Sequence, residues 1–109
     1  MAIHSHESEL ELRGGEHAGG LLVGPAQGAV KGFCIGISYY DRTEYGTPGV
    51  HDDQEGFYVL AGTGMARVGD VEFAVRPGTA FLAAKGVPHT LKRDPASGAV
   101  KVLWTHGAV

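Results

Sequence analysis

A chain of 109 residues with a formal charge of −3 and an isoelectric point near 6.0 is sized for one domain that holds its own core without metal or disulfide staples. Its nine basic residues are scattered, which argues against a nucleic-acid partner, because phosphate backbones select massed positive charge. The lone Cys34 rules out an intramolecular disulfide, fits a reducing compartment and, between Phe33 and Ile35, reads as a buried, inert thiol.

The opening stretch, MAIHSHESELELRGGEHAGG, has no signal-peptide core, and no later segment has the apolar length of a membrane span. A cytoplasmic protein without a membrane partner is expected. Residues 1–18 read as a flexible or loosely ordered segment in which His4, His6 and His17 are solvated. Residues 19–109 read as the folded domain. Glycine and proline cut this part into short apolar pieces that carry no helical period: GLLVG, KGFCIGISYY, GFYVLAG, MARVGDVEFAV, TAFLAA, HTLKR and VKVLW. The Gly69-Asp70 pair predicts a tight hairpin with both central residues at positive φ, and Pro77-Gly78 predicts a second turn. Alternation aims Val71, Phe73, Val75, Val100, Val102 and Trp104 inward, and Glu72, Arg67 and Lys101 toward water. Many short antiparallel strands predict an all-β sandwich or barrel, in which edge strands such as GLLVG need cover.

The stretch GVHDDQEGFYVLAGTG sets metal-binding side chains at the mouth of a strand. On a straight strand His51 and Glu55 would stand about 13 Å apart, too far to share an ion. A helix would join them, but Pro48, Gly49 and Gly56 flank the pair and Phe57, Tyr58 and Val59 favour strand. A bend at Asp52, Asp53 and Gln54 is therefore expected, with His51 and Glu55 facing inward on its two arms. Downstream, AKGVPHTLKR uses Gly86 and Pro88 to deliver His89 at a strand start, with His89 and Leu91 inward and Thr90 and Lys92 outward. Two imidazoles and a carboxylate suit iron, manganese, nickel, zinc or copper and leave coordination positions open. The bland alternative is hydrogen-bonded core histidines with Glu55 capping a turn.

These stretches resemble the two motifs of the cupin superfamily. Glu55, six residues and Gly62 match the end of its first motif; Gly86 and His89 match its second. The resemblance spans roughly residues 30–105. It implies a single-domain antiparallel β-barrel or jelly roll, a homodimer, and metal ligation by His51, Glu55 and His89. Departures are visible. Gly49 stands where the motif has its first histidine, Ala84 where it has proline, and Arg93 where it has asparagine. A three-ligand, labile site follows, and loss of the ion is an open alternative.

A barrel of this kind presents its inner face to a small molecule. Candidate lining residues are Phe57, Val59, Phe73, Leu91 and Trp104, with Tyr39, Tyr40 and Tyr45 near the approach; Phe57, Leu91, Trp104 and Tyr39 are the candidate substrate contacts, while Arg93 is expected inside to meet an anionic group or a structural partner such as Asp94 or Glu44. Asp53 is the candidate base. Two function classes remain: a metal-dependent enzyme of dioxygenase, isomerase or decarboxylase type acting on a small organic molecule, carboxylates included, or a non-catalytic small-ligand or sensor module.

Overall fold

Short runs of β-branched and aromatic residues between glycine-rich turns leave strands as the only extended element. The computed structural model, which describes residues 2–10 and 18–107, contains β1 (Ala18–Val23), β2 (Cys34–Tyr40), β3 (Gln54–Ala61), β4 (Gly64–Val68), β5 (Val71–Val75), β6 (Ala80–Ala83), β7 (His89–Arg93) and β8 (Val100–Gly107). A five-stranded sheet has the order β1-β2-β8-β3-β6, and a three-stranded sheet the order β5-β4-β7. All pairings are antiparallel. The two sheets face each other as an open jelly-roll sandwich, so the all-β expectation holds.

The core lies between them. Phe57, Val59, Ala83, Val100 and Val102 come from the larger sheet, and Ala66, Val75 and Leu91 from the smaller. Strand parity produces this: in β3, Glu55, Phe57 and Val59 are buried while Gln54, Tyr58 and Leu60 are exposed. Removing each such large side chain from water stabilises the fold by roughly 1.5–3 kcal/mol.

The turns follow the sequence with two corrections. In the β4–β5 hairpin only Gly69 takes positive φ, 58°, and Asp70 does not, which is the pattern of a turn with glycine at its first central position rather than one with both residues left-handed. Val71, expected inside, is 62 % exposed. It is the first residue past that turn, beyond the reach of the opposite sheet, and only Val75 at the far end of β5 is buried. Gly62 has φ 83°, and a Cβ there would lie 2.4 Å from the Ala99 carbonyl oxygen. Only glycine meets both demands.

Part of the N-terminal segment expected to be loose is tied to the sandwich. A short 3-10 turn, Glu7–Glu9, is capped reciprocally by His6. Ser5 Oγ donates to the Leu22 carbonyl, Glu7 pairs with Lys101 at 3.1 Å, and the Leu10 side chain lies against Gly20. His4 is exposed, and His17 lies outside the described residues. No helix among the described residues is long and apolar enough to cross a membrane.

Candidate metal centre

The backbone around Gly49 exchanges two hydrogen bonds with His89, and the His51 carbonyl accepts from Gly86 N–H at 2.9 Å. This arm therefore runs along the free edge of β7. The chain bends at Asp52 and Asp53 and enters β3 at Gln54, one residue sooner than expected. Because β3 belongs to the other sheet, the bend crosses the sandwich, and His51 and Glu55 meet from opposite sides. Gly86, at φ 76°, turns the chain so that His89 opens β7 facing inward.

The convergence is tight. His51 Nε2 lies 3.2 Å from Glu55 Oε1 and His89 Nε2 lies 3.0 Å from the same oxygen. One donor atom from each of the three residues falls within 4.8 Å of the others. Glu55 and His89 are buried, whereas 42 % of the His51 side chain is exposed. The group lines a cavity of about 230 Å³.

The protonation pattern decides what belongs between these atoms. His89 Nδ1 is 3.1 Å from the Val87 carbonyl oxygen, which can only accept, so Nδ1 carries the proton. In the neutral ring, Nε2 then points a lone pair at a carboxylate. With both imidazoles neutral, the buried Glu55 Oε1 has no hydrogen-bond partner, and an acceptor left so carries a desolvation cost of about 1–3 kcal/mol or more, which either a proton on His89 Nε2 or a cation relieves. A divalent cation answers both problems. Two ligand atoms at about 2.1 Å from one ion, separated by about 90–110°, are about 3.0–3.4 Å apart, and the His51–Glu55 and His89–Glu55 separations fall in that range. The residues fit a metal.

Burial opposes the charged form of His89, but the Glu55 carboxylate and the Val87 carbonyl outweigh it, and its pKa lies above the ordinary 6.5. In the metal-free protein this group's stabilisation is fully present below about pH 6.5 and is lost as pH rises through the raised value. An ion must displace the proton. Metal affinity is therefore expected to climb with pH until the His89 pKa is passed and then to level for this group. Competition with a chromophoric chelator across about pH 5 to 8 checks this, and an affinity that does not change over that span contradicts it.

A fourth polar side chain reaches the same place, and sequence reading missed it. His106 on β8 stands directly opposite Glu55 on β3. Its Nε2 is 3.5 Å from Glu55 Oε2 and its Nδ1 is 2.7 Å from Asp53 Oδ1. Its ring meets that of His51 edge to face, with centroids 4.7 Å apart. The signal lay in the alternation of Val100, Val102 and Trp104, which places His106 inward once the strand is carried two residues further.

The family model of the cupin domain matches residues 40–106. The chain is a cupin. No curated protein matches it. Among solved structures, this cupin is similar to the polyketide cyclase RemF from Streptomyces resistomycificus, with TM-score 0.80 and 20 % identity over 97 % of this chain and 79 % of that one. An RmlC-like cupin from Shewanella frigidimarina gives 0.77 and 17 %, over 97 % and 90 %. Hydroxypropylphosphonic acid epoxidase from S. wedmorenis, in complex with fosfomycin, gives 0.81 and 17 %, over 97 % of this chain and 59 % of that one. At these identities the likeness is one of fold.

In this cupin the other expected site residues are divided. Trp104 lines the cavity; its Nε1 donates to Ser38 Oγ at 2.8 Å and its ring edge-packs His106. Phe57 stacks on Phe81 at 4.7 Å and props the His89 ring, and Leu91 is buried in the core. Thr90, expected outward, is buried because the segment from Asp41 to Thr47 folds over it. Asp53 does not reach the cavity as a free base, because its carboxylate is engaged by His106. Tyr39 lies on the outer face opposite Lys101, with that ammonium 5.6 Å from its ring. Tyr40 takes the inward place; burial, aided by the Glu55 charge, pushes its hydroxyl pKa up, so it stays protonated. Cys34 is only partly buried, not buried as expected; what burial it has pushes the thiol up, against a backbone hydrogen bond from His106 and with help from Asp53 and Glu55, which disfavours the reactive thiolate.

Arg93 is not among the residues that line the cavity. Its guanidinium pairs with Asp41 at 3.1 Å and donates to the carbonyls of Asp41, Asp94, Pro95 and Ser97. It clasps two loops, and the expected partner Asp94 contributes its carbonyl rather than its carboxylate. Arg93→Ala is expected to lower unfolding free energy by about 1–3 kcal/mol while leaving metal affinity within twofold. Chemical denaturation beside a metal titration checks this; weakened metal or ligand binding at unchanged stability would restore the role expected from sequence.

Proposed function

We propose that this cupin holds a divalent transition metal (iron, manganese, nickel, zinc or copper) on His51, Glu55 and His89, and that it is a metal-dependent enzyme of dioxygenase, isomerase or decarboxylase type acting on a small organic molecule. The observation that carries the reading is the convergence of the His51 and His89 Nε2 atoms on one buried carboxylate oxygen, Glu55 Oε1, at 3.2 and 3.0 Å. When bound, such an ion supplies Lewis-acid or redox chemistry.

The chain's own residues prepare the space around it. At about 230 Å³ the cavity is smaller than pockets that enclose drug-sized ligands, so the substrate is small. Tyr40, Thr47 and Thr90 contribute to its wall with Trp104 and without any lysine or arginine. This lining suits a substrate rich in oxygen functions whose negative charge is met at the metal end. Tyr40, kept protonated, adds a neutral phenol to this wall. With Arg93 engaged elsewhere, no separate carboxylate-binding cation supports restricting the substrate to acids.

The test is reconstitution with Fe(II), Mn(II), Ni(II), Zn(II) and Cu(II) in turn, followed by mass-spectrometric screening of small enolisable and hydroxylated compounds. Product formation that depends on one metal and disappears in His51→Ala supports the reading. Compounds that bind and return unchanged with every metal point instead to a ligand-binding module. The proposal includes a homodimer: Phe33, Tyr58 and Leu82, each about half exposed, border one apolar outer surface of β3 and β6 of the kind that marks association.

A further inference from the structure

We propose that His106 supplies a fourth protein ligand to the metal, delivered by β8 and held in place by Asp53, where the motif histidine is replaced by Gly49. The inference rests on the metal reading above.

Three observations carry it. First, the β3–β8 register pairs Glu55 with His106, so both side chains leave their strands on the same face at the same height. His106 addresses the other carboxylate oxygen, Oε2, at 3.5 Å, while His51 and His89 share Oε1. The carboxylate is thus ringed by three imidazole Nε2 atoms. Second, Asp53 Oδ1 lies 2.7 Å from Nδ1. With Nδ1 taken up by Asp53, Nε2 is the ring nitrogen left facing the carboxylate of Glu55. A carboxylate, an imidazole and a metal in sequence is the arrangement by which proteins orient ligating histidines and raise their basicity. Trp104, edge-on to the ring at 5.5 Å, holds it from the side. Third, the motif position is open. A Cβ built on Gly49 would stand 3.2 Å from His89 Nε2 and 3.5 Å from His51 Nε2, so that position projects straight into the centre and this chain offers nothing from it.

His106 falls outside the group of donor atoms that lie within 4.8 Å of one another. Loading the ion is therefore expected to draw its ring inward, away from Oε2 and toward the common point. Asp53 is a positioning residue in this scheme, acting only through His106.

The experiment is a Zn(II) competition titration of the full chain, of His106→Ala, of Asp53→Ala and of the double variant, with Cu(II) electron paramagnetic resonance of the same proteins to count coordinated imidazole nitrogens. His106→Ala is expected to bind at least about tenfold more weakly and to show one nitrogen fewer. Asp53→Ala is expected to weaken binding by less, and the double variant to match His106→Ala, because both changes act through one ring. Should circular dichroism show that His106→Ala does not fold, His106→Gln, which keeps the bulk at that place, gives the same comparison. Wild-type affinity and an unchanged nitrogen count in the variant would overturn the fourth ligand while leaving the three-residue site standing. Failure of the unaltered chain to bind any ion would overturn both.

Discussion

His89→Ala is expected to abolish stoichiometric metal binding, with an affinity loss beyond about 100-fold, since even the residues that only orient ligands are worth about 10–100-fold. Two features make His89 the most sensitive position. It is 6 % exposed, so no water or neighbouring side chain takes its place cheaply. Its Nε2 is also the nitrogen nearest Glu55, at 3.0 Å. The variant still folds, because the fully buried Val59, Val100 and Val102 lie along the strands away from the metal end. Elemental analysis of untagged protein beside a circular dichroism melt separates the two effects. A folded variant that retains one equivalent of metal would show that the ion sits elsewhere.

Gly36→Ala is expected to cost about 1–3 kcal/mol, the usual penalty for an added group in a filled interior, and to lower Tm by several degrees or more. The reason is direct. Gly36 pairs with Trp104 across β2 and β8, and a Cβ on it would lie 2.1 Å from the indole ring. The indole must swing away, which breaks its 2.8 Å hydrogen bond to Ser38 and its edge contact with His106. Loss of stability should therefore be accompanied by a red-shifted Trp104 fluorescence and a weaker metal site. Thermal melts followed by tryptophan emission report both, Trp104 being the single tryptophan of the chain. A melt and an emission spectrum indistinguishable from the unaltered protein would show that the glycine is not required by the ring.

What the sequence made legible is local chemistry, and what it hid is register. The bend between His51 and Glu55 follows from spacing alone, because a straight strand separates them and the flanking glycines and proline forbid a helix. Delivery of His89 follows from the turn at Gly86 and Pro88 for the same reason. His106 escaped because its value depends on lying opposite Glu55, 51 residues away, on a strand whose apolar pattern ends at Trp104. The role of Asp53 escaped with it: an acid beside a histidine motif looks like a free base until the neighbouring strand fills its hydrogen-bonding reach.

The exchange of Tyr39 for Tyr40 has a different cause. In β2 the inward positions are Gly36, Ser38 and Tyr40, small or polar, whereas the apolar Ile35 and Ile37 face out. Ile37 is nonetheless 3 % exposed, because β1 pairs with β2 and Leu10 lies over Gly20, the partner of Ile37. Hydropathy marks what is buried and not which layer buries it, so a strand covered on both faces misleads a parity argument. Arg93 misleads in the opposite way. Parity aims it inward, but at the end of β7 a long side chain reaches past the core to the carbonyls of two loops.

Two imidazoles and one carboxylate, brought from two sheets and one bend, are proposed to surround a single ion. Anomalous diffraction from crystals of metal-loaded protein, recorded on either side of the metal's absorption edge, tests this most directly. One strong peak per chain is expected at about 2.0–2.2 Å from His51 Nε2, His89 Nε2 and a Glu55 oxygen. A peak centred on other residues, or a fully metal-equilibrated crystal with ordered His51, Glu55 and His89 and no peak among them, would contradict it.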